Sequence, residues 1–212
     1  MQAEFEVQRE IEIEGGPKAV WDAITRHVDG WLWEVRYEPR VGGAETGLSS
    51  AGGVVTVWEP HERFATRVET GDWFNELTYE LEPDGEGTRV RYRHHSVFPA
   101  HDYDRMLDEC ERHTDFYLHS LGEYVHHFAG RQPTYVSEDV ASGPEGRRAL
   151  GVPDGAAVGD RVTLAGGEEG VVDYATGSFL GVRTAGALVR VYGREPWGDP
   201  SNLARHEFAG AA

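Results

Sequence analysis

The chain has 212 residues, of which 39% are hydrophobic and 27% charged; that is enough apolar sequence for a packed core and excludes a wholly disordered chain. A formal net charge of −17 argues against nucleic acid, whose phosphates demand a basic face, and against an anionic membrane surface. Cys110 is the single cysteine, so no intramolecular disulfide can form.

The opening MQAEFEVQRE has no basic segment followed by an apolar run, and no stretch approaches the ~18 apolar residues of a membrane span. The expected compartment is therefore the cytoplasm. EFEVQREIEIEG alternates through Phe5, Val7, Ile11 and Ile13 and predicts a strand. GGPKAVWDAITRHV follows, with Pro17 suited to a first helical turn and Val20, Ile24 and Val28 at helical spacing. DGWLWEVRYEPRVGG reads as a turn and then a strand around Val35 to Val41, and AETGLSSAGG as a loop or a weak edge strand. Two further strand-like runs, Val54 to Trp58 and Phe64 to Glu69, are joined by Glu59-Pro60-His61-Glu62.

NELTYELEPDGEGTRVRYRHHSVF is a hairpin signature: period two, a Gly-rich turn, period two. Leu77, Tyr79 and Leu81 share one face with Val90, Tyr92 and His94. Arg89, Arg91 and Arg93 lie on the other, where pairing with Glu80 and Glu82 is expected. The longest helical pattern is DYDRMLDECERHTDFYLHSLGEYVHHF. Its stripe runs through Leu107, Cys110, Thr114, Tyr117, Leu118, Leu121, Val125 and Phe128. Residues 131–159 are rich in Gly, Pro, Ser and Ala and read as a linker. Four short strands follow, DRVTLAGG, EGVVDYAT, SFLGVRT and ALVRVYGR, and then EPWGDPSNLARHEFAGAA with no clear period. The expected division is a domain over 1–130, a linker over 131–159 and a small antiparallel β extension over 160–212.

The order of strand, helix, about six strands and a long closing helix resembles the START-like superfamily, also called SRPBCC or helix-grip. The branch it is similar to is the bacterial relatives of the activator of heat-shock-protein-90 ATPase. KAVWDAIT, YEPRVGG, GGVVTVWEPHERFATRV, LTYELEPDGEGTRVRYRHHSVF and the helix ending at Phe128 carry the likeness over residues 1 to about 130. AETGLSS departs from it, standing where an aromatic-bearing strand is usual. The resemblance implies an α+β helix-grip fold, a curved antiparallel sheet wrapped around the long C-terminal helix with a deep cavity between them. It also implies three kinds of activity. Most members bind apolar molecules, a minority are cyclases, aromatases or hydrolases, and the heat-shock activators work on protein partners.

The alternation points Trp58, Tyr79, Tyr92 and His94 toward the helix, with Trp31, Trp33, Trp73 and Phe74 in loops or strand ends nearby. Cys110, Thr114 and Tyr117 face them from the helix. The candidate ligand-binding set is therefore Trp33, Trp58, Phe74, Tyr79, Tyr92, His94, Cys110, Thr114 and Tyr117. A mostly apolar pocket with a few polar groups fits this set, and so does a plain core whose tyrosine hydroxyls reach the rim. His94 is the candidate acid or base, because an imidazole near neutrality can move a proton; the alternative is that it hydrogen-bonds a tyrosine and only shapes the pocket. For Cys110 the base within local reach is His113, three residues on, and an ordinary buried residue is the alternative. Glu109 with His113 and His119 with Glu123 have a chelating spacing but read as solvated helix pairs. No metal or cofactor is expected. The expected partner is a small apolar molecule, with a protein partner as the alternative, and the chain a monomer or homodimer.

Overall fold

The computed structural model describes residues 2–209. Its first half runs β1 (Gln2–Ile13), α1 (Pro17–Thr25), a 3₁₀ turn at Val28–Gly30, β2 (Arg36–Tyr37), β3 (Ala44–Thr46), β4 (Gly53–Glu59), β5 (Arg63–Thr70), β6 (Trp73–Asp84), β7 (Gly87–Pro99) and α2 (Tyr103–Phe128). Its second half runs β8 (Pro133–Val140), α3 (Gly143–Ala149), β9 (Arg161–Thr163), β10 (Glu169–Thr176), β11 (Phe179–Thr184), β12 (Ala187–Tyr192) and β13 (Ser201–Phe208). Two antiparallel sheets result, ordered β1-β7-β6-β5-β4-β3-β2 and β8-β13-β12-β11-β10-β9. Among the described residues no helix is long and apolar enough to cross a membrane.

The β6–β7 hairpin has the register that its alternation predicts. Leu77 stands opposite His94, Tyr79 opposite Tyr92 and Leu81 opposite Val90. β7 is also paired along its length with β1, so it lies inside the sheet. That position changes the arginine pairing. Arg91 reaches Glu10 on β1 at 2.8 Å and Glu82 on β6 at 3.1 Å, while Arg93 reaches Glu6 on β1 at 2.5 Å and Glu76 on β6 at 3.0 Å. A strand with two neighbours shares its cations between both. The expected Glu80 pairing is replaced by carboxylates of β1 and by Glu76. The strand expected over Val35 to Val41 shrinks to the two residues of β2.

α1 starts at Pro17, whose missing N–H costs nothing in a first turn. It buries Val20, Trp21 and Ile24 under the inner face of the first sheet. The Trp31 indole N–H donates to the Ala23 carbonyl at 3.0 Å and fastens the following turn onto the helix.

α2 is buried on two faces. Leu118, Leu121 and Val125 enter the first sheet's core. On its other side Phe116, which has no exposed surface, packs against Tyr174, Phe179 and Tyr192 of the second sheet. A helix covering a single sheet would leave that side wet; here it lies between two sheets. A buried polar cluster ties the same face down. The Arg190 guanidinium on β12 donates to Asp173 at 3.0 Å and to the Ser120 hydroxyl of α2 at 2.9 Å, and His119 of α2 stands 2.9 Å from Asp173. Gly181 makes room for it, since a Cβ there would lie 2.3 Å from Asp173 Oδ1.

Residues 131–159, expected as a linker, hold β8 and α3, and the unpatterned tail holds β13. β8 pairs antiparallel with β13 from Pro133–Phe208 to Val140–Ser201. Most β8 side chains are exposed, so it lacks the apolar alternation that would announce a strand. The extension is a six-stranded sheet rather than four short strands. Its Leu188 and Phe208 join the main core, with Phe208 stacked on Phe128 of α2 at a centroid separation of 4.1 Å.

Candidate functional site

Between the first sheet, α2 and one side of the second sheet lies a cavity of about 700 Å³. Its deep wall is the period-two face of the hairpin: Trp73, Asn75, Leu77 and Tyr79 from β6, with Tyr92 and His94 from β7. Helical spacing supplies the facing wall, because Met106, Cys110, Thr114 and Tyr117 follow one another along one side of α2. Trp31 and Trp33 close one end from the loop after α1. The second sheet and its loops supply the remainder through Tyr135, Asp139, Tyr192, Arg194 and Asn202.

The cavity is divided by chemistry. Inside, burial pushes the ionisation of Tyr79, Tyr92 and Tyr117 far up, so all three phenols stay protonated and present O–H donors. At the outer part most of the charges are paired. Arg194 lies 3.4 Å from Glu109 and 3.2 Å from Asp199, and Arg105 donates from Nε to Asp102 at 2.9 Å. Burial raises the Glu109 carboxyl above the usual range, an effect that the neighbouring Arg194 opposes.

His94 has both ring nitrogens engaged. Nδ1 is 3.1 Å from Cys110 Sγ, and Nε2 meets Asn75 Oδ1. Asn75 Oδ1 can only accept, so the proton sits on Nε2 and the Nδ1 lone pair is aimed at the thiol. Burial, reinforced by the adjacent His95, pushes the His94 pKa down to about 4. Burial likewise pushes the Cys110 thiol up to about 12. The resting pair is neutral imidazole and thiol.

Residues 16–126 match the family described as activator of Hsp90 ATPase homolog 1-like protein. The chain belongs to this family. No curated protein matches it. CalU16 from Micromonospora echinospora is similar in structure, with a TM-score of 0.47 and 21% identity over 59% of this chain and 86% of that one. The Aha1 dimer from Colwellia psychrerythraea is similar with a TM-score of 0.46 and 19% identity over 57% of this chain and 96% of that one. DynU16, from the dynemicin biosynthetic locus, has a TM-score of 0.47 and 16% identity over 95% of this chain and 86% of that one.

In this Hsp90-activator-like chain the α+β helix-grip architecture that the resemblance implied is present, with a long helix against an antiparallel sheet. Of the nine residues singled out in the sequence, Trp33, Tyr79, Tyr92, His94, Cys110, Thr114 and Tyr117 line one cavity. Trp58 and Phe74 do not. Trp58 packs edge-on against Trp21 and Phe64 beneath α1, just past the bulge between Val55 and Val57. Phe74 is one residue out of period with Asn75 and Leu77, so it lies on the outer face against His95 and under the Arg67 guanidinium. Trp73, in phase, takes the inner position.

His113 is not the base for Cys110. Its Nδ1 is 2.9 Å from the Glu109 carbonyl oxygen, and its ring packs edge-on against Phe179 of the second sheet. Among the described residues no group of three or more His, Cys, Asp or Glu side chains is placed to hold a metal ion. The contribution of the second sheet to the cavity could not be read from the sequence, since no periodicity links residues 135–202 to the helix that precedes them.

Proposed function

We propose that the protein binds a small, mainly apolar or aromatic molecule in this cavity, as a carrier or sensor. The observation that carries the reading is the cavity itself, about 700 Å³ with aromatic inner walls and mostly paired charges at its outer part. That volume lies within the range of roughly 300–1,000 Å³ of small-ligand sites, which combine apolar walls with a few placed polar groups. The ligand's polar end meets the phenols of Tyr79, Tyr92 or Tyr117, because both nitrogens of His94 are already engaged. A protein partner, which the family description suggests, has less support from the surface. Among the described residues the large apolar side chains left exposed are the valines 41, 54, 136 and 158.

The test is a titration with 2-naphthol, read by the fluorescence of the cavity tryptophans. Saturable quenching is expected. Tyr79→Phe, which removes one O–H donor and keeps the ring, is expected to weaken binding by roughly 2- to 10-fold, the equivalent of one hydrogen bond. A flat titration with the intact chain rejects the reading. Native mass spectrometry of protein purified from its own source then identifies the natural occupant.

A further inference from the structure

We propose that Cys110, His94 and Asn75 form a thiol acyl-transfer centre, in which Cys110 takes up the acyl group of a hydrophobic ester or thioester held in the cavity. The proposal rests on the cavity reading above and adds a covalent step to it.

A nucleophilic thiol needs a base within hydrogen-bond reach, and the base needs a third group that fixes its tautomer. Cys110 comes from α2, His94 from β7 and Asn75 from the neighbouring strand β6. His94 Nδ1 is 3.1 Å from Sγ, and its Nε2–H is held by Asn75 Oδ1. Phe5 packs edge-on against the imidazole at a centroid separation of 5.1 Å and fixes the plane of the ring. All three polar side chains border the same cavity, so a bound acyl carbon has access to the sulfur.

The step balances without a cofactor. The Sγ proton passes to His94 Nδ1 as the sulfur attacks the carbonyl carbon and the S–C bond forms. The carbonyl oxygen gains the negative charge and is met by phenol O–H donors of the cavity, the role that preorganised donors play for oxyanions. Collapse breaks the bond to the leaving oxygen or sulfur, which takes the proton from Nδ1 and departs as an alcohol or thiol. Cys110 is left as a thioester, and nothing is oxidised or reduced. Water can then attack that thioester by the same proton path and release the acid. Because the resting thiol and imidazole are both neutral, proton transfer accompanies attack rather than preceding it. Cys110 and His94 are the catalytic residues in this scheme, and Asn75 is a positioning residue that acts through His94.

The experiment incubates the whole chain with p-nitrophenyl octanoate and follows nitrophenolate release and intact mass. A burst of about one equivalent is expected, with one octanoyl group mapped to Cys110. Cys110 is the single cysteine, so a thioester adduct has one address. Cys110→Ala and the near-isosteric Cys110→Ser are expected to lose the rapid adduct, and either variant serves if the other fails to fold. His94→Gln is expected to slow acylation by about 10²- to 10⁴-fold, the usual contribution of a positioned base. Asn75→Ala is expected to slow it by up to about 10²-fold through misplacement of the ring. Asn75→Asp, which still accepts from Nε2–H, is expected to restore most of the rate, and a merely structural role would not produce that pattern. The matching amide, N-(4-nitrophenyl)octanamide, reports reversible binding by tryptophan fluorescence. Amide binding without ester acylation overturns the thiol centre and leaves the cavity reading standing. No binding and no acylation overturn both. An adduct that persists in Cys110→Ala also overturns the proposal.

Discussion

At the scale of single residues, burial has set the protonation of several histidines. Burial lowers the pKa of His94 and of His113 to about 4 and that of His206 to about 3, each from 6.5. His206 is held at 2.8 Å by the Asp29 carbonyl oxygen, a contact that works against the shift, while its Nε2 finds no partner among the described residues. A base with a depressed folded pKa binds fewer protons folded than unfolded over the window between the two values. Stability therefore rises with pH there, and the contribution is fully present above 6.5 and lost as pH falls toward 4. Carboxylates that the fold holds low, such as Asp173 beside Arg190, give way at lower pH still. The expected result is a melting temperature that drops between about pH 6.5 and pH 4, together with three imidazole signals that do not titrate above about pH 5 by NMR. A melting temperature that stays level from neutrality to pH 4.5 contradicts this account. The misplaced Phe74 is instructive at the same scale. The alternation that put Leu77 and Tyr79 inside already excluded residue 74 and demanded residue 73. The period was legible, and the aromatic ring out of phase with it was a distraction.

At the scale of elements, the hairpin was legible because one of its faces is buried and the other wet, which forces strict alternation. α2 was legible on one side only. Its stripe toward the first sheet is continuous, whereas the side toward the second sheet carries His113, Phe116 and Ser120, a mixture that does not read as apolar. What holds that side is the buried polar cluster of Arg190, Asp173 and His119 as much as Phe116. Arg190 is fully buried, and one of its terminal nitrogens lacks a partner among the described residues. Removing Asp173 therefore strands a buried cation. Asp173→Ala is expected to cost about 3–5 kcal/mol, the usual penalty for breaking a buried pair from one side. Replacing the pair together, as Asp173→Leu with Arg190→Met, is expected to recover most of that loss, because apolar residues of similar volume need no counter-charge. Urea unfolding of the three chains decides the point. If the double variant is as damaged as Asp173→Ala alone, the loss comes from packing and not from a stranded charge.

At the scale of the whole molecule, the question is whether the second sheet is a passenger. Residues 131–209 place Leu188 and Phe208 in the main core and cover the Phe116 side of α2. They also provide Tyr135, Asp139, Tyr192, Arg194 and Asn202 to the cavity wall. A chain ended at residue 130 keeps the seven strands of the first sheet and both of its helices, yet it bares the stacked ring of Phe128 and the buried ring of Phe116. Each such side chain loses roughly 1.5–3 kcal/mol of burial when exposed, and two or three of them amount to much of a small domain's net stability. The truncated chain is expected to melt at a lower temperature and to bind 8-anilinonaphthalene-1-sulfonate strongly through the uncovered patch. Its affinity for 2-naphthol is also expected to fall, since one wall of the cavity opens to water and the ligand keeps more of its hydration shell. The two effects are separable. A truncated chain that melts lower but binds 2-naphthol unchanged confines the ligand to the hairpin side of the cavity. One that matches the whole chain in both measurements makes the second sheet dispensable to core and cavity alike, against the packing of Phe116 between Tyr174, Phe179 and Tyr192.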